Sequence, residues 1–392
     1  MNLHDSPENQ SIIPLSTPHL TGHEYDALQR TPPTQWPALV TQFEETLSQT
    51  VGAAGCLATH SGTAALELAL RTLGVGTDDR VVCPTLTFSA TANAITNCGA
   101  TPIFVGSEPT TWALDPDALE TLLKTHAKRP KAIIVVDLYG MPARWHDLQA
   151  LAERFGVPLV ADAAESLGSS LNGRACGTLG LLNAVSFNQN KIITASGGGA
   201  MLTNDAQLLA KARVIANQGR QTEAPYEQLT DGGNYRLNPV TASVATQQLQ
   251  VLPQWVAQRR AIFADYQKTL SHLAGIKFQP EYPGAYANRW LTTLTIDPKQ
   301  AYSRRDQTAQ ALKKAGIETR PVFWSLHRQQ AYRDCMYIGD SLADQLAQTG
   351  LCLPSGSNLT SEQRHQVVTA LWRLHSCPNR SELQEFDTLL LS

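Results

Sequence analysis

Between Phe43 and about Arg220, short apolar runs alternate with helical patterns, and few folds accommodate that rhythm. The runs at 80–83, 101–105, 131–137 and 158–161 have the length of strands. Turn residues follow each run, and then helix-like segments such as 146–155. Strands bounded in this way and alternating with helices predict βαβ units, an α/β class, and a mostly parallel sheet covered by helices. A sheet of that kind takes its ligand at the carboxyl ends of its strands.

A long helical pattern follows over about 239–273, interrupted by Pro253. Beyond it the rhythm changes to a strand at 291–296, a helix at 303–315, a strand at 318–323, and helical stretches near 341–349 and 361–374. This predicts a second, smaller α+β domain. The expected organisation is an N-terminal arm over 1–25, a large domain over 26–250, a small C-terminal domain over 251–377, and a tail over 378–392.

Three segments along the predicted sheet edge carry chemistry. The first, Thr59-His60-Ser61-Gly62-Thr63-Ala64-Ala65, opens a helix. Small and hydroxyl residues there suit either a phosphate cradle or an ordinary N-cap. The second, Val160-Ala161-Asp162-Ala163-Ala164-Glu165-Ser166, places Asp162 directly after an apolar strand. A carboxylate at that point can hold a buried cation or simply start a turn. The third runs from Ser186-Phe187-Asn188-Gln189-Asn190-Lys191 to Gly197-Gly198-Gly199. Lys191 follows Asp162 by 29 residues. It is either a desolvated, nucleophilic lysine or a solvated surface one. The glycines let the backbone pass close to a flat ligand and turn back into the strand 200–203. Together, a phosphate cradle, a carboxylate and a Schiff-base lysine are what pyridoxal 5'-phosphate requires.

Composition narrows the partners. Lys and Arg number 31 against 34 Asp and Glu, a net charge of −3, so no basic excess for nucleic acid or an anionic membrane is present. With 392 residues, 42 % of them apolar, the chain can bury a large core without a staple. The seven cysteines are odd in number and form no C-x-x-C pair, so neither a disulfide framework nor a metal site is expected. The opening MNLHDSPENQSIIPLS has no basic segment followed by an apolar one, and no apolar run reaches the ~20 residues of a membrane helix. A soluble, cytoplasmic protein is expected.

The sequence resembles the DegT/DnrJ/EryC1/StrS sugar aminotransferases, which are fold-type I pyridoxal phosphate enzymes. The resemblance runs from Ile13-Pro14-Leu15-Ser16 to about Leu374. It is carried by SGTAALELAL (61–70), PTLTFSATANAI (84–95), GATPIFV (99–105), DLYGMP (137–142), DAAESLG (162–168), SFNQNKIITASGGG (186–199), NYRLNP (234–239), ANRWL (287–291) and LCLPSGSNLT (351–360). DAAESLG, NKIITASGGG and LCLPSGSNLT look most like the branch that makes UDP-4-amino-4,6-dideoxy sugars of the bacillosamine type.

By that resemblance Lys191 is the Schiff-base lysine and Asp162 the carboxylate facing the pyridine nitrogen. Glu165 takes a position, often Gln, near the phenolic oxygen. Phe88 is an aromatic stacked on the ring, although core packing after a strand is its plain reading. Gly62, Thr63, Ala64 and Ser186 correspond to phosphate contacts, and Asn234 to an Asn reaching the phosphate from the other subunit of a homodimer with composite sites. Asn188, Arg236 and His327 fall in or near motifs that meet the nucleotide sugar or the amino donor. The implied reaction moves an amino group from L-glutamate to the keto carbon, at C4, of a UDP-linked 4-keto-6-deoxy sugar, for surface polysaccharide or glycan synthesis. Two stretches depart from the pattern: TPPTQWP (31–37) is shortened, and Phe323-Trp324-Ser325 stands where that branch carries W-K-P. The alternatives are a GDP-linked (perosamine-type) sugar, a 3-keto sugar, or a non-catalytic pyridoxal phosphate-binding regulator. The presence of Lys191, Asp162 and Asn234 speaks against the last.

Overall fold

A computed structural model describes residues 12–220 and 227–376. Strand β1 (Gly55–Thr59) precedes four strands that fall on the expected apolar runs: β2 (Arg80–Pro84), β3 (Thr101–Val105), β4 (Ala132–Val136) and β5 (Leu159–Asp162). A hairpin of two-residue strands, β6 (Ser170–Leu171) and β7 (Arg174–Ala175), leads to β8 (Leu182–Ser186) and β9 (Gly199–Thr203). The remaining strands are β10 (Ile276–Phe278), β11 (Ala285–Tyr286), β12 (Thr292–Ile296), β13 (Arg320–Pro321), β14 (Tyr337–Ile338) and β15 (Gly350–Leu353).

The large sheet has the order β1-β9-β8-β5-β4-β2-β3-β14. Only β9 runs against its neighbours. The sheet is thus the mostly parallel one the rhythm predicts, and both faces are covered. Along β2, Val81 and Cys83 pack with Leu66, Leu70 and Ile95, which belong to the helices Gly62–Thr72 and Ser89–Asn97. Val82, pointing the other way, packs with Leu119 and Leu148 of the helices Pro116–Thr125 and Trp145–Phe155. The period-two alternation of a pleated strand explains the division. Each fully buried Val, Leu or Ile contributes about 1.5–3 kcal/mol.

The chain then enters the helix Pro239–Leu270, which is unbroken. The expected interruption at Pro253 does not occur. A proline inside a helix costs about 3 kcal/mol through its lost N–H and its clash with the preceding turn. Leu249, Leu252, Trp255 and Val256, all buried around it, offset that cost by packing into the core. The helix continues across 250/251.

The smaller sheet has the order β10-β12-β15-β13 and is antiparallel. Its core joins Ile262, Tyr266, Leu294, Leu312, Val367 and Leu371, so the helices Arg305–Lys314 and Ser361–His375 close it. The strand expected over 318–323 pairs only at Arg320–Pro321, and Pro321 has no N–H to extend the ladder. Part of the expected arm packs here: Ile13 pairs with Ile317, and Leu15 N–H donates to Glu318 Oε2 at 2.9 Å. Positions 1–11 and the tail 378–392 lie outside the described residues. Among the described residues no helix is long and apolar enough to cross a membrane.

Candidate active site

The carboxyl ends of β1, β2, β5 and β8 and the start of the reversed β9 share one sheet edge. A cavity of about 290 Å³ opens there. Gly62, Thr63, Phe88, Asp162, Glu165, Ser186, Asn188 and Lys191, separated by up to 129 positions in sequence, all line it.

One end of the cavity is the N-terminus of the helix Gly62–Thr72. Ser61 caps it, its Oγ accepting from Ala64 N–H at 3.1 Å. Ala64 is therefore buried behind the cap and not on the wall. Gly62 is required by space: a Cβ there would stand 2.8 Å from Ser186 Cβ. Gly199 is required even more strictly, since its Cβ would sit 2.5 Å from the Ser61 carbonyl carbon. The triple glycine therefore does two things. Gly197 and Gly198 line the cavity, and Gly199 lets β9 press against the helix start. First-turn amides at a helix N-terminus form an anion site.

Asp162 ends β5 and is buried. Its Oδ2 accepts from Thr91 Oγ1 at 2.8 Å, and its Oδ1 from Ala164 N–H at 3.2 Å. Burial raises its pKa, and those two donors with the Lys191 charge oppose the rise. Lys191 lies in the loop between β8 and β9. Burial lowers the pKa of its amine, against the nearby Glu165 and Asp162 charges. Its Nζ is 3.8 Å from Glu165 Oε1. Glu165 accepts Tyr139 N–H on Oε2 at 2.7 Å, yet burial pushes its carboxyl up to about 7.

The folded chain holds the Glu165 proton to higher pH than the unfolded chain, whose carboxyl titrates near 4.5. Between those values the unfolded state binds fewer protons, so stability contributed by the neutral carboxyl is lost as pH rises through the window. Urea unfolding of cofactor-free protein at about pH 5 and about pH 8 should show this fall, and Glu165→Gln should remove most of it. An unaltered fall in the variant would contradict the assignment.

Aromatic rings form a side wall. Phe88 is 56 % exposed, so it is not the core residue its position after a strand suggests. Its ring lies 5.9 Å from that of Phe323. Phe323 stacks on Tyr139 at 5.2 Å, and Tyr139 on Trp290 at 6.3 Å. The Trp290 ring faces Lys191 Nζ, 4.1 Å from the ring centroid. Arg320 also lines the cavity, and its guanidinium has no ion-pair or hydrogen-bond partner among the described residues. Sequence reasoning gave no role to Trp290, Tyr139, Thr91 or Arg320, and Phe323 entered only as part of a stretch that departs from the family pattern. Trp290 and Tyr139 sit inside the motifs ANRWL and DLYGMP, which was the signal available.

Three expected residues lie elsewhere. Asn234 and Arg236 are exposed on the segment that bridges Asn217 and Thr59, and neither lines the cavity of its own chain. His327 is also off the wall. Its Nδ1 bonds Thr85 Oγ1 at 2.7 Å, and its ring stacks on Tyr337 at 3.8 Å.

An anion site, a buried carboxylate and a desolvated lysine around one cavity fit pyridoxal phosphate. A family model describing the DegT/DnrJ/EryC1/StrS aminotransferases matches residues 25–372. The chain belongs to this family. It is 42 % identical over 374 residues, 92 % of this chain and 95 % of the other, to EpsN of Bacillus subtilis, named as a pyridoxal phosphate-dependent aminotransferase. It is 33 % identical over 366 residues to the GDP-perosamine synthase of Caulobacter vibrioides, across 92 % of this chain and 97 % of that one. A solved DegT DnrJ EryC1 StrS aminotransferase from Brucella abortus superposes with a TM-score of 0.82 at 29 % identity, covering 90 % and 94 % of the two chains. The protein is a pyridoxal phosphate-dependent sugar aminotransferase of the fold-type I class.

Proposed function

We propose that this enzyme transfers the amino group of L-glutamate to C4 of a UDP-linked 4-keto-6-deoxy sugar, for surface polysaccharide or glycan synthesis. The observation that carries the reading is the cavity itself. Lys191, the buried carboxyls of Asp162 and Glu165, the helix start at Gly62 and Arg320 all line it, with Lys191 Nζ 3.8 Å from Glu165 Oε1. The motifs DAAESLG, NKIITASGGG and LCLPSGSNLT support the UDP-linked substrate.

Bound pyridoxal phosphate supplies a carbon that carries the amino group and a ring that accepts electrons. The chain's residues do the rest. The helix start at Gly62 and Thr63, with Ser186, holds the phosphate. Asp162 keeps a proton on the pyridine nitrogen, and Thr91 holds Asp162 in place. Phe88 covers the ring face. Glu165, neutral up to about pH 7, can donate to the phenolic oxygen, as an amide at that position would. Lys191 Nζ holds the cofactor between turnovers and then moves the α-proton, a role worth ~10²–10⁴-fold. Arg320 is suited to a carboxylate of the donor, because a guanidinium pairs with carboxylate in two parallel bonds. Asn234 and Arg236, exposed on one copy, would reach the cavity of a second copy in a homodimer.

The GDP-linked sugar is kept as a second reading because the chain is one-third identical to a GDP-perosamine synthase. Purified enzyme, L-glutamate and matched UDP- and GDP-linked 4-keto-6-deoxy sugars decide between them. Amination of the UDP sugar with at least about tenfold higher kcat/KM is expected. A preference for the GDP sugar would overturn the assignment of the nucleotide, and a 3-amino product that of the carbon.

A further inference from the structure

Trp290 stands against Lys191 in a way the roles above leave unexplained. Its ring faces Nζ at 4.1 Å. Its Nε1–H donates at 2.7 Å to the carbonyl of Asn190, the residue before Lys191. The side chain is buried, and its own backbone is fixed on both sides. Its N–H donates to Asn288 Oδ1 at 2.8 Å, and Asn288 in turn donates to the carbonyls of Glu165 and Leu167. Its carbonyl accepts from Arg259 Nη1. Arg259 is 1 % exposed and has no carboxylate partner among the described residues; its other bond is to Ser16 Oγ at 3.1 Å. A buried cation without a counter-ion is costly, and here its charge is directed at the Trp290 carbonyl.

We infer that Trp290 is a catalytic residue for proton movement at Lys191: the indole face holds Nζ and stabilises it while it carries the proton, and Nε1–H fixes the backbone from which Nζ swings. This rests on Lys191 being the reacting amine. In the transfer, the Nζ lone pair takes the α-proton as the C–H bond breaks. The bonding pair stays on the substrate side, drawn toward the cofactor ring, and Nζ later gives the same proton back. In between, Nζ is an ammonium in a site where burial disfavours charge. The charged or titratable groups acting on it are Glu165, Asp162 and Arg320. Glu165 loses its negative charge below about pH 7, Asp162 is committed to the pyridine nitrogen, and Arg320 repels. A π face has no proton to gain and attracts the ammonium at every pH.

Two substitutions separate the parts of this role. Trp290→Phe keeps a ring face and loses the N–H; Trp290→Leu loses both. In the Leu variant, kcat with L-glutamate should fall about thirtyfold, and the isotope effect with α-deuterated glutamate should rise, because proton transfer becomes slower. In the Phe variant the isotope effect should stay near that of the wild type. A second reading comes from cofactor-free protein, where acylation of Lys191 is followed against pH by peptide mapping. Its midpoint should move down by about one pH unit in the Leu variant only. Equal losses in both variants with unmoved isotope effect and midpoint would make Trp290 a packing residue and overturn the inference, as would no loss in either. Borohydride fixation of the cofactor on wild-type protein checks Lys191 separately. Fixation elsewhere would overturn the lysine assignment and this inference with it. Fixation at Lys191 with an unmoved midpoint would overturn the inference alone.

Discussion

Lys191→Ala is expected to lower turnover at least about 10⁴-fold, because it removes the group proposed as both nucleophile and proton carrier. The fold should survive. Lys191 sits in a loop, and its ion-pair partner Glu165, with Oε1 3.8 Å from Nζ, has a carboxyl that burial pushes up to about 7, so it can take up a proton once the amine is gone. Removing a desolvated cation costs little, so the thermal midpoint should move by no more than a few degrees. The helix start at Gly62, the proposed phosphate site, is untouched, so the variant should still bind pyridoxal phosphate without fixing it covalently. Steady-state kinetics, a thermal melt and borohydride fixation read the three outcomes. Retained transaminase activity would show that another group does the chemistry.

Asp162→Asn should leave the shape of the site nearly unchanged and still lower kcat about 10²–10³-fold. The amide oxygen can still accept from Thr91 Oγ1, so the buried hydrogen bond at 2.8 Å has a partner to keep. What is lost is the negative charge proposed to keep the pyridine nitrogen protonated, and with it the pull on the substrate's electrons. The loss belongs in kcat, with KM for L-glutamate within about threefold of the wild type. A variant with nearly full kcat would mean that Asp162 is a strand-ending turn residue, the plain reading its sequence context allows.

The sheet and much of its active edge were legible because their signals are local. Four short apolar runs became β2 to β5, and the alternation of Val81, Val82 and Cys83 between two cores follows from strand geometry alone. Gly62, Asp162 and Lys191 announce themselves through a helix start, a strand end and a lysine beside glycines. The aromatic wall was not legible in the same way. Trp290 reaches Lys191 from 99 positions away and Phe323 reaches Phe88 from 235, and no local pattern encodes a contact that the packing of β12 and β13 creates. Pro253 misled for a related reason, since its effect on the helix depends on how strongly Leu252, Trp255 and Val256 are held. His327 lies in or near a motif of the family pattern, and its contacts with Thr85 and Tyr337, which no local signal encodes, keep it off the cavity lining.

Lys191, Asp162 and the Gly62 helix start are proposed to hold pyridoxal phosphate and use it to take an amino group from L-glutamate. A visible absorption scan of the purified protein, before and after adding L-glutamate, tests it most directly. The expected result is a yellow protein whose band bleaches with glutamate and returns when a nucleotide-linked 4-keto sugar is added. A protein that stays colourless with added pyridoxal phosphate, or stays yellow with every amino donor, would contradict it.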